Sequence, residues 1–486
     1  MKKSFFFCAL FFISLLHAEE SLSKLLFGYF QNSSSLKELS QKVDKAILNS
    51  QSTKISNGMN IQLSTGTIAF NFGSGGYCSF TPNASIGIPA ARNLTFSASS
   101  NMTYDSDSFD TKNTSFGVAV DIYSGVKEQR DIALDKAARA LLEAQRNLQN
   151  GFVDMETQFY TELKSLYETA QKIVTAQRSL YEHSLEFDQI KAQGYVATSS
   201  KYQLKQMEVE SDQHDVDIYR RELERKAKVF AHECGVEYNV ADAMEFLPAE
   251  IPPVDAVDVL AFEKEDYKKI ESAVWTNKIN SRTRAANKAI AISANAGYTF
   301  NNSTNAFMTN QRNFGDTVDI GSSLAWHSTG LKTTAGVSFP IWGNAFNPLF
   351  KLSFSLVPQK FRLAAIEKKV EGVDENLELI AIEAAEKDYD TSVLERQTSL
   401  EDIEWAAKTY KDSLETYSKI ASDTAAWYQR GIITQSESRA AQVNKENYRI
   451  KTLINALDLI IYNNKTKTLF NRDEELNHDP KLPEKD

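Results

Sequence analysis

Two tracts of nearly seventy residues without a single proline constrain this chain more than any other feature. They run over residues 126–193 and 359–429. In the first, Phe159, Leu166, Ile173 and Leu180 fall seven apart, and so do Tyr160, Tyr167, Val174 and Tyr181. Two adjacent seven-residue seams imply a helix with neighbours on two sides, as in a closed ring of helices. In the second, Val393, Leu400, Ala407, Leu414 and Ala421 form a seam, with Ile403, Tyr410 and Tyr417 beside it. At 1.5 Å per residue each tract predicts a rod of roughly 100 Å, which cannot fold on itself into a globule and needs partner helices along its length.

Each tract ends in a glycine turn, Gln193-Gly194-Tyr195-Val196-Ala197-Thr198 in one case and Arg430-Gly431-Ile432-Ile433-Thr434-Gln435 in the other, and each turn leads into a shorter helical pattern. Upstream of both tracts the period drops to two. Ile68, Phe70 and Phe72, then Leu94, Phe96 and Ala98, then Phe116, Val118, Val120 and Ile122 read as strands with one apolar face and a Ser, Thr and Asn face opposite. In the second half, Ile290 to Phe300, Val318 to Trp326, Ala335 to Ile341 and Leu352 to Leu356 do the same. Such alternation fits a membrane barrel and a soluble sandwich equally. A modest amphipathic helix is expected over 21–54.

The layout therefore repeats: helix, strands, long helix, turn, short helix. Residues 1–18 read as a secretory signal, with Lys2 and Lys3 before an apolar core and Leu16-His17-Ala18 as the cleavage site. The first repeat is expected over 19–235, a Pro248, Pro252 and Pro253 linker over 236–257, the second repeat over 258–470, and a disordered tail over 471–486. No later stretch is apolar enough for a membrane helix, so any contact with a bilayer falls to strands. Removing Lys2 and Lys3 takes the formal charge from −10 to −12, which argues against a nucleic-acid partner.

The residues around the second turn resemble the TolC-like outer-membrane efflux family. Trp427-Tyr428-Gln429-Arg430-Gly431-Ile432-Ile433-Thr434-Gln435-Ser436-Glu437 is similar to that family's tip, with Tyr428 as the aromatic three before the glycine and Glu437 as the acidic residue six after it. Ala441-Gln442 follows the same pattern. Residues 93–100 and 116–125 are similar to its first strand pair. The first turn departs, with Lys191 and Ser200 at the two positions.

The resemblance implies an α+β membrane fold, in which a long coiled-coil helical barrel continues into a transmembrane β-barrel closed by a homotrimer. It implies an outer-membrane location reaching into the periplasm, contact with outer-membrane lipid, and service as the passive exit duct of a tripartite efflux pump or type I secretion system. The implied partners are a periplasmic adaptor and an inner-membrane transporter. Docking falls to Gly194, Tyr195, Val196, Ala197, Thr198, Gly431, Ile432, Ile433, Thr434 and Gln435, and the entrance gate to Tyr428 and Glu437. A threefold ring of Glu437 carboxylates would raise its pKa by mutual repulsion. The family has four strands per chain, so surplus runs such as Ile86 to Ile88 and Val318 to Trp326 are expected in extracellular extensions or loops.

Each of these residues also has a plainer reading: Glu437 as a solvated helix-face charge, Tyr428 as a packed aromatic, the apolar tip residues as internal caps. No nucleophile with a base, phosphate-binding loop or cofactor motif is present in the sequence, which is read as that of a non-enzyme. His232 and Cys234 are too few for a metal site, and His183, His214, His327 and His478 show no ligand spacing. Cys78 and Cys234 are expected not to pair. The rival to a channel is a periplasmic coiled-coil protein with a soluble β domain.

Overall fold

The computed structural model of the chain describes residues 18–73, 75–105, 109–288, 290–300, 302–304, 312–326, 329–341 and 347–473. Most of the expected signal peptide and residues 474–486 of the expected tail lie outside them. Seven α-helices are described: α1 (Ala18–Asn32), α2 (Ser34–Ser56), α3 (Val126–Ala192), α4 (Ser200–Glu233), α5 (Lys268–Lys288), α6 (Gln359–Gln429) and α7 (Gln435–Lys467). The two long tracts are thus single helices with the bounds that their composition predicts. The first helical stretch is broken in two, because Ser33 turns its hydroxyl to the Leu36 N–H at 3.2 Å and caps a new helix.

The chain divides into two compact units. The first comprises Met1–Val43, Ala144–Glu271 and Glu386–Asp486, and the second Asp44–Glu143 and Ser272–Ala385. α3 and α6 contribute residues to both.

In the first unit the two α3 seams form the core. Phe159, Leu166, Ile173, Tyr160, Tyr167 and Val174 are all buried, with Leu22 and Tyr29 of α1, Leu223 and Phe230 of α4, and Ile450 and Leu457 of α7. Fully burying one such side chain is worth roughly 1.5–3 kcal/mol before the entropic cost of ordering it. α1 and α4 approach so closely that a Cβ on Gly28 would lie 2.0 Å from the Cys234 carbonyl oxygen.

The expected linker packs onto this core, with Ala243 and Ile251 buried and Pro248 accepting the Tyr167 hydroxyl. The seam of α6 is looser: Leu400, Ile403, Leu414 and Tyr417 are half-buried, and Trp405 is 70% exposed.

The first three residues of the expected tail are held. Asn471 N–H donates to the Asp266 carbonyl at 2.8 Å, and Asp473 receives Arg146 Nε at 2.7 Å and Nη2 at 2.6 Å. Arg146 Nη1 also reaches Glu271 at 3.2 Å. Phe470, 1% exposed, stacks on Phe262 with ring centres 4.5 Å apart.

In the second unit, α5 is tied to α3 by Arg282, which bonds Glu128 at 2.6 Å and Asp135 at 2.5 Å, and to α6 by Arg284, bidentate on Glu378 at 2.9 and 3.0 Å. The strands are β1 (Asn60–Ser64), β2 (Ile68–Asn71), β3 (Tyr77–Phe80), β4 (Asn83–Ile88), β5 (Leu94–Asp105), β6 (Phe109–Tyr123), β7 (Ile290–Phe300), β8 (Asn302–Thr304), β9 (Arg312–Phe314), β10 (Thr317–Trp326), β11 (Leu331–Pro340) and β12 (Leu349–Ser355). β8 and β9 pair separately; the other ten form one antiparallel sheet in the order β1-β4-β5-β6-β7-β10-β11-β12, with β2 on β3 and β3 on β5.

Those ten segments make eight strands. β3 and β4 pair with β5 in one uninterrupted register, from Tyr77 opposite Asp105 to Ile88 opposite Leu94. They are separated only at Thr81-Pro82, where proline has no N–H to give the ladder. β1 and β2 are likewise one strand with an irregularity at Gly66, whose φ is +64°. The surplus runs are therefore not loops: Ile86 to Ile88 lies in β4 and Val318 to Trp326 in β10, each with a partner on both sides. Sequence spacing could not reveal this, because it shows that a strand exists but not what it pairs with.

Candidate functional site: two helix turns and a two-faced sheet

Both turns use one backbone device. In the first, Gly194 N–H donates to the Lys191 carbonyl at 3.0 Å and Tyr195 N–H to Ile190 at 3.4 Å; in the second, Gly431 donates to Tyr428 at 2.9 Å and Ile432 to Trp427 at 2.9 Å. This pair of bonds closes a helix C-terminus on a left-handed residue, and the two glycines have φ of +77° and +70°. Among the described residues, nothing beyond the adjoining residues lies within 4 Å of a Cβ built on either, so the left-handed backbone angle selects glycine.

The next helix starts at different distances from the two glycines. Ser199 caps α4, accepting the Tyr202 N–H at 3.4 Å, five residues after Gly194; Thr434 caps α7 three residues after Gly431. Counting a fixed number of residues from each glycine therefore compares unlike positions, and Ser200 is not the structural counterpart of Glu437. Tyr195 (41%), Val196 and Ile432 (both 65%) are exposed, as are Ala197, Thr198, Thr434 and Gln435, whereas Ile433 is half-buried. Lys201 lies 4.7 Å over the Tyr195 ring.

Glu437 is occupied by the cap. Its carboxylate accepts the Thr434 N–H at 2.9 Å and hydroxyl at 2.9 Å, while its own N–H donates to Thr434 Oγ1 at 3.3 Å. The backbone bond from Thr434 holds its pKa below the usual carboxylate range. Tyr428 is 44% exposed.

Around the first turn, charges pair between α3 and α4. His183 Nδ1 lies 2.6 Å from Asp212, and Lys205 bridges Glu186 at 2.5 Å and Glu208 at 2.6 Å. His183, Glu186 and Glu208 bring ligand-type atoms within 4.8 Å of one another, a grouping that only the fold creates because Glu208 lies on the returning helix. The single Lys205 ammonium already pairs with both glutamates, offsetting one of their two charges, and lowers the Glu186 pKa through its hydrogen bond.

Deeper in the first unit, Tyr29 donates to Glu162 at 3.0 Å. Beside them, burial and then the neighbouring Glu162 push the Glu233 carboxyl up to about 7. Burial, Glu162 and Glu233 together push the Cys234 thiol up to about 12. Cys78 and Cys234 are both free thiols.

The second unit presents the sheet. Following the register across all eight strands, Ile61, Ile86, Phe96, Val118, Ala296, Ile320, Val337 and Phe350 lie in one row on one face. The next row, on the opposite face, reads Gln62, Ser85, Ser97, Gly117, Gly297, Asp319, Ser338 and Leu349. The apolar row is not buried: its residues Ile61, Phe96, Val118, Ile320 and Phe350 are 38–73% exposed. No helix among the described residues is long and apolar enough to cross a membrane.

Residues 25–251 match the family model described as the TP096X N-terminal domain, and residues 252–473 the one described as the TP096X C-terminal domain. No curated protein matches. Among solved structures, the chain is similar to the Campylobacter jejuni CmeC outer membrane channel (10% identity, 96% of this chain and 90% of that one, TM-score 0.48). It is also similar to the open state of the Neisseria gonorrhoeae MtrE outer membrane channel (11%, 91% and 89%, 0.46) and to the Vibrio cholerae outer membrane protein VceC (11%, 93% and 96%, 0.47). Each half of the described chain runs through strands, a long helix, a glycine turn and a returning helix.

Proposed function

We propose, for a chain that belongs to the TP096X family over residues 25–473, that it is one protomer of a trimeric TolC-like outer-membrane channel, the passive exit duct of a tripartite efflux pump or type I secretion system. The observation that carries the reading is the two-faced sheet. A soluble sandwich buries its apolar face against a second layer. Here the apolar row stays open and, apart from Leu349, the opposite row is glycine, serine and other polar or small residues, the alternation of a wall with lipid on one side and water on the other. This observation favours the channel over a periplasmic protein with a soluble β domain.

In this reading the turns at Gly194 and Gly431 form the periplasmic mouth. Exposed Tyr195, Val196 and Ile432 offer an adaptor the apolar contacts that such tips require. Energy comes from the inner-membrane transporter, and the duct binds no cofactor. The full chain, expressed with its leader, is expected in the outer-membrane fraction as a heat-modifiable trimer that gives single-channel steps in planar bilayers. A soluble periplasmic monomer would overturn the proposal.

A further inference from the structure

The sheet has two unfinished edges: among the described residues β1 pairs only with β4, and β12 only with β11. All seven residues of β12 are exposed, with Phe350, Leu352 and Phe354 between 66 and 78%. An apolar edge with free backbone donors and acceptors needs a partner, most of all in lipid, where no water can supply the missing bonds. We infer that the partner is a second copy of this chain, with β12 of one copy pairing with β1 of the next, so that the barrel holds eight strands from every chain. This deepens the membrane reading above and rests on it. A three-chain ring then closes on 24 strands, three times the eight of the described path.

Three observations select this closure. First, the path has an even number of strands and every pair in it is antiparallel, so β12 runs opposite to β1 and identical copies join into an antiparallel wall without a parallel seam. Second, the apolar row reaches both edges on the same face, at Ile61 and at Phe350, so the face stays continuous across the junction. Third, the chain cannot close on itself. An eight-stranded barrel is just wide enough for its own side chains to fill, yet the opposite face carries Gly87, Gly117, Gly297, Gly321 and Gly336 among small polar residues. That face suits a wide water-filled lumen.

The test places cysteines on the lumen face of the full-length chain in a Cys78→Ser background, pairing Gln62→Cys in turn with Lys351→Cys, Ser353→Cys and Ser355→Cys. Oxidation in isolated outer membranes is expected to give, for at least one pair, a reductant-sensitive ladder of dimer and trimer that neither single variant gives. A bond within one chain would overturn the inference. So would the absence of any bond for all three pairs in protein that is still a heat-modifiable outer-membrane oligomer, an outcome that leaves the channel reading standing. Protein that fails to enter the membrane overturns both. As a second measurement, a fluorophore on Phe350→Cys is expected to be quenched by a lipid-phase quencher; quenching by aqueous iodide instead would place β12 outside the bilayer wall and overturn the strand count.

Discussion

Thr434 and Glu437 cap one helix end from both directions, the glutamate N–H on the threonine hydroxyl at 3.3 Å and the threonine N–H on the glutamate carboxylate at 2.9 Å. Both are residues that family resemblance marks as functional, and both have a structural task that needs no ring of carboxylates. Thr434→Ala should destabilise the first turn of α7 by about 1 kcal/mol. Hydrogen exchange in residues 435–438 is then expected to speed up several-fold, with exchange in the first turn of α4 unchanged.

At Gly431 the backbone angle is the constraint, since among the described residues nothing beyond the adjoining ones crowds a Cβ. Gly431→Val should cost about 1–2 kcal/mol through its left-handed φ, and Gly431→Asn much less. Dye export is expected to fall for valine and to persist for asparagine. Equal loss for both would mean that a partner needs the bare backbone.

Glu233 makes the first unit sensitive to pH. Its folded pKa of about 7 lies above its ordinary value of 4.5, so the folded state binds its proton more tightly. The resulting stability is fully present below pH 4.5 and is lost as pH rises through 7. Unfolding midpoints should fall between pH 5 and 8, and Glu233→Gln should flatten that decline.

Asp473 fastens the end of the described chain to Arg146, whose side chain is 9% exposed. Asp473→Asn weakens a charge-assisted pair but leaves Glu271 on the same guanidinium. The expected loss is about 1.5 kcal/mol, measured by urea unfolding. Truncation after Phe470 should cost more, because it also removes the Asn471 bond to Asp266.

The two thiols should differ in reactivity. Cys234 is 1% exposed with a pKa pushed up to about 12, whereas Cys78 is half-buried in β3. Maleimide on native protein is expected to label Cys78 and to reach Cys234 only after denaturation.

The parts of this fold legible in the sequence are those governed by local periodicity. Seven-residue seams place α3 and its buried face, and glycine after a helix places both turns, because each signal lies within a few residues of what it specifies. The break at Ser33 was readable in principle from Asn32-Ser33-Ser34-Ser35, a run of cap-forming residues. Long-range pairing leaves no such mark. Nothing near Asp473 announces Arg146, and nothing in Glu186 announces Glu208, so the ion pairs emerge only once helices lie side by side. The same holds for the sheet, where alternation shows each apolar face and register alone shows that eight strands share it. At the candidate gate, the resemblance identifies Glu437, but the cap that occupies it depends on its spacing from Thr434, a signal present in the sequence as Thr-x-x-Glu.

The junction of β6 and β7 sets Val118 beside Ala296, neighbours that lie almost 180 residues apart along the chain. In the channel reading proposed above, a nascent polypeptide must therefore export its second half before the first four strands find their continuation. Until then the hairpins of the first half carry a greasy surface through an aqueous compartment. Contacts this distant form slowly, so the unassembled chain is a natural client for an escorting chaperone and an early target for proteolysis when none is at hand.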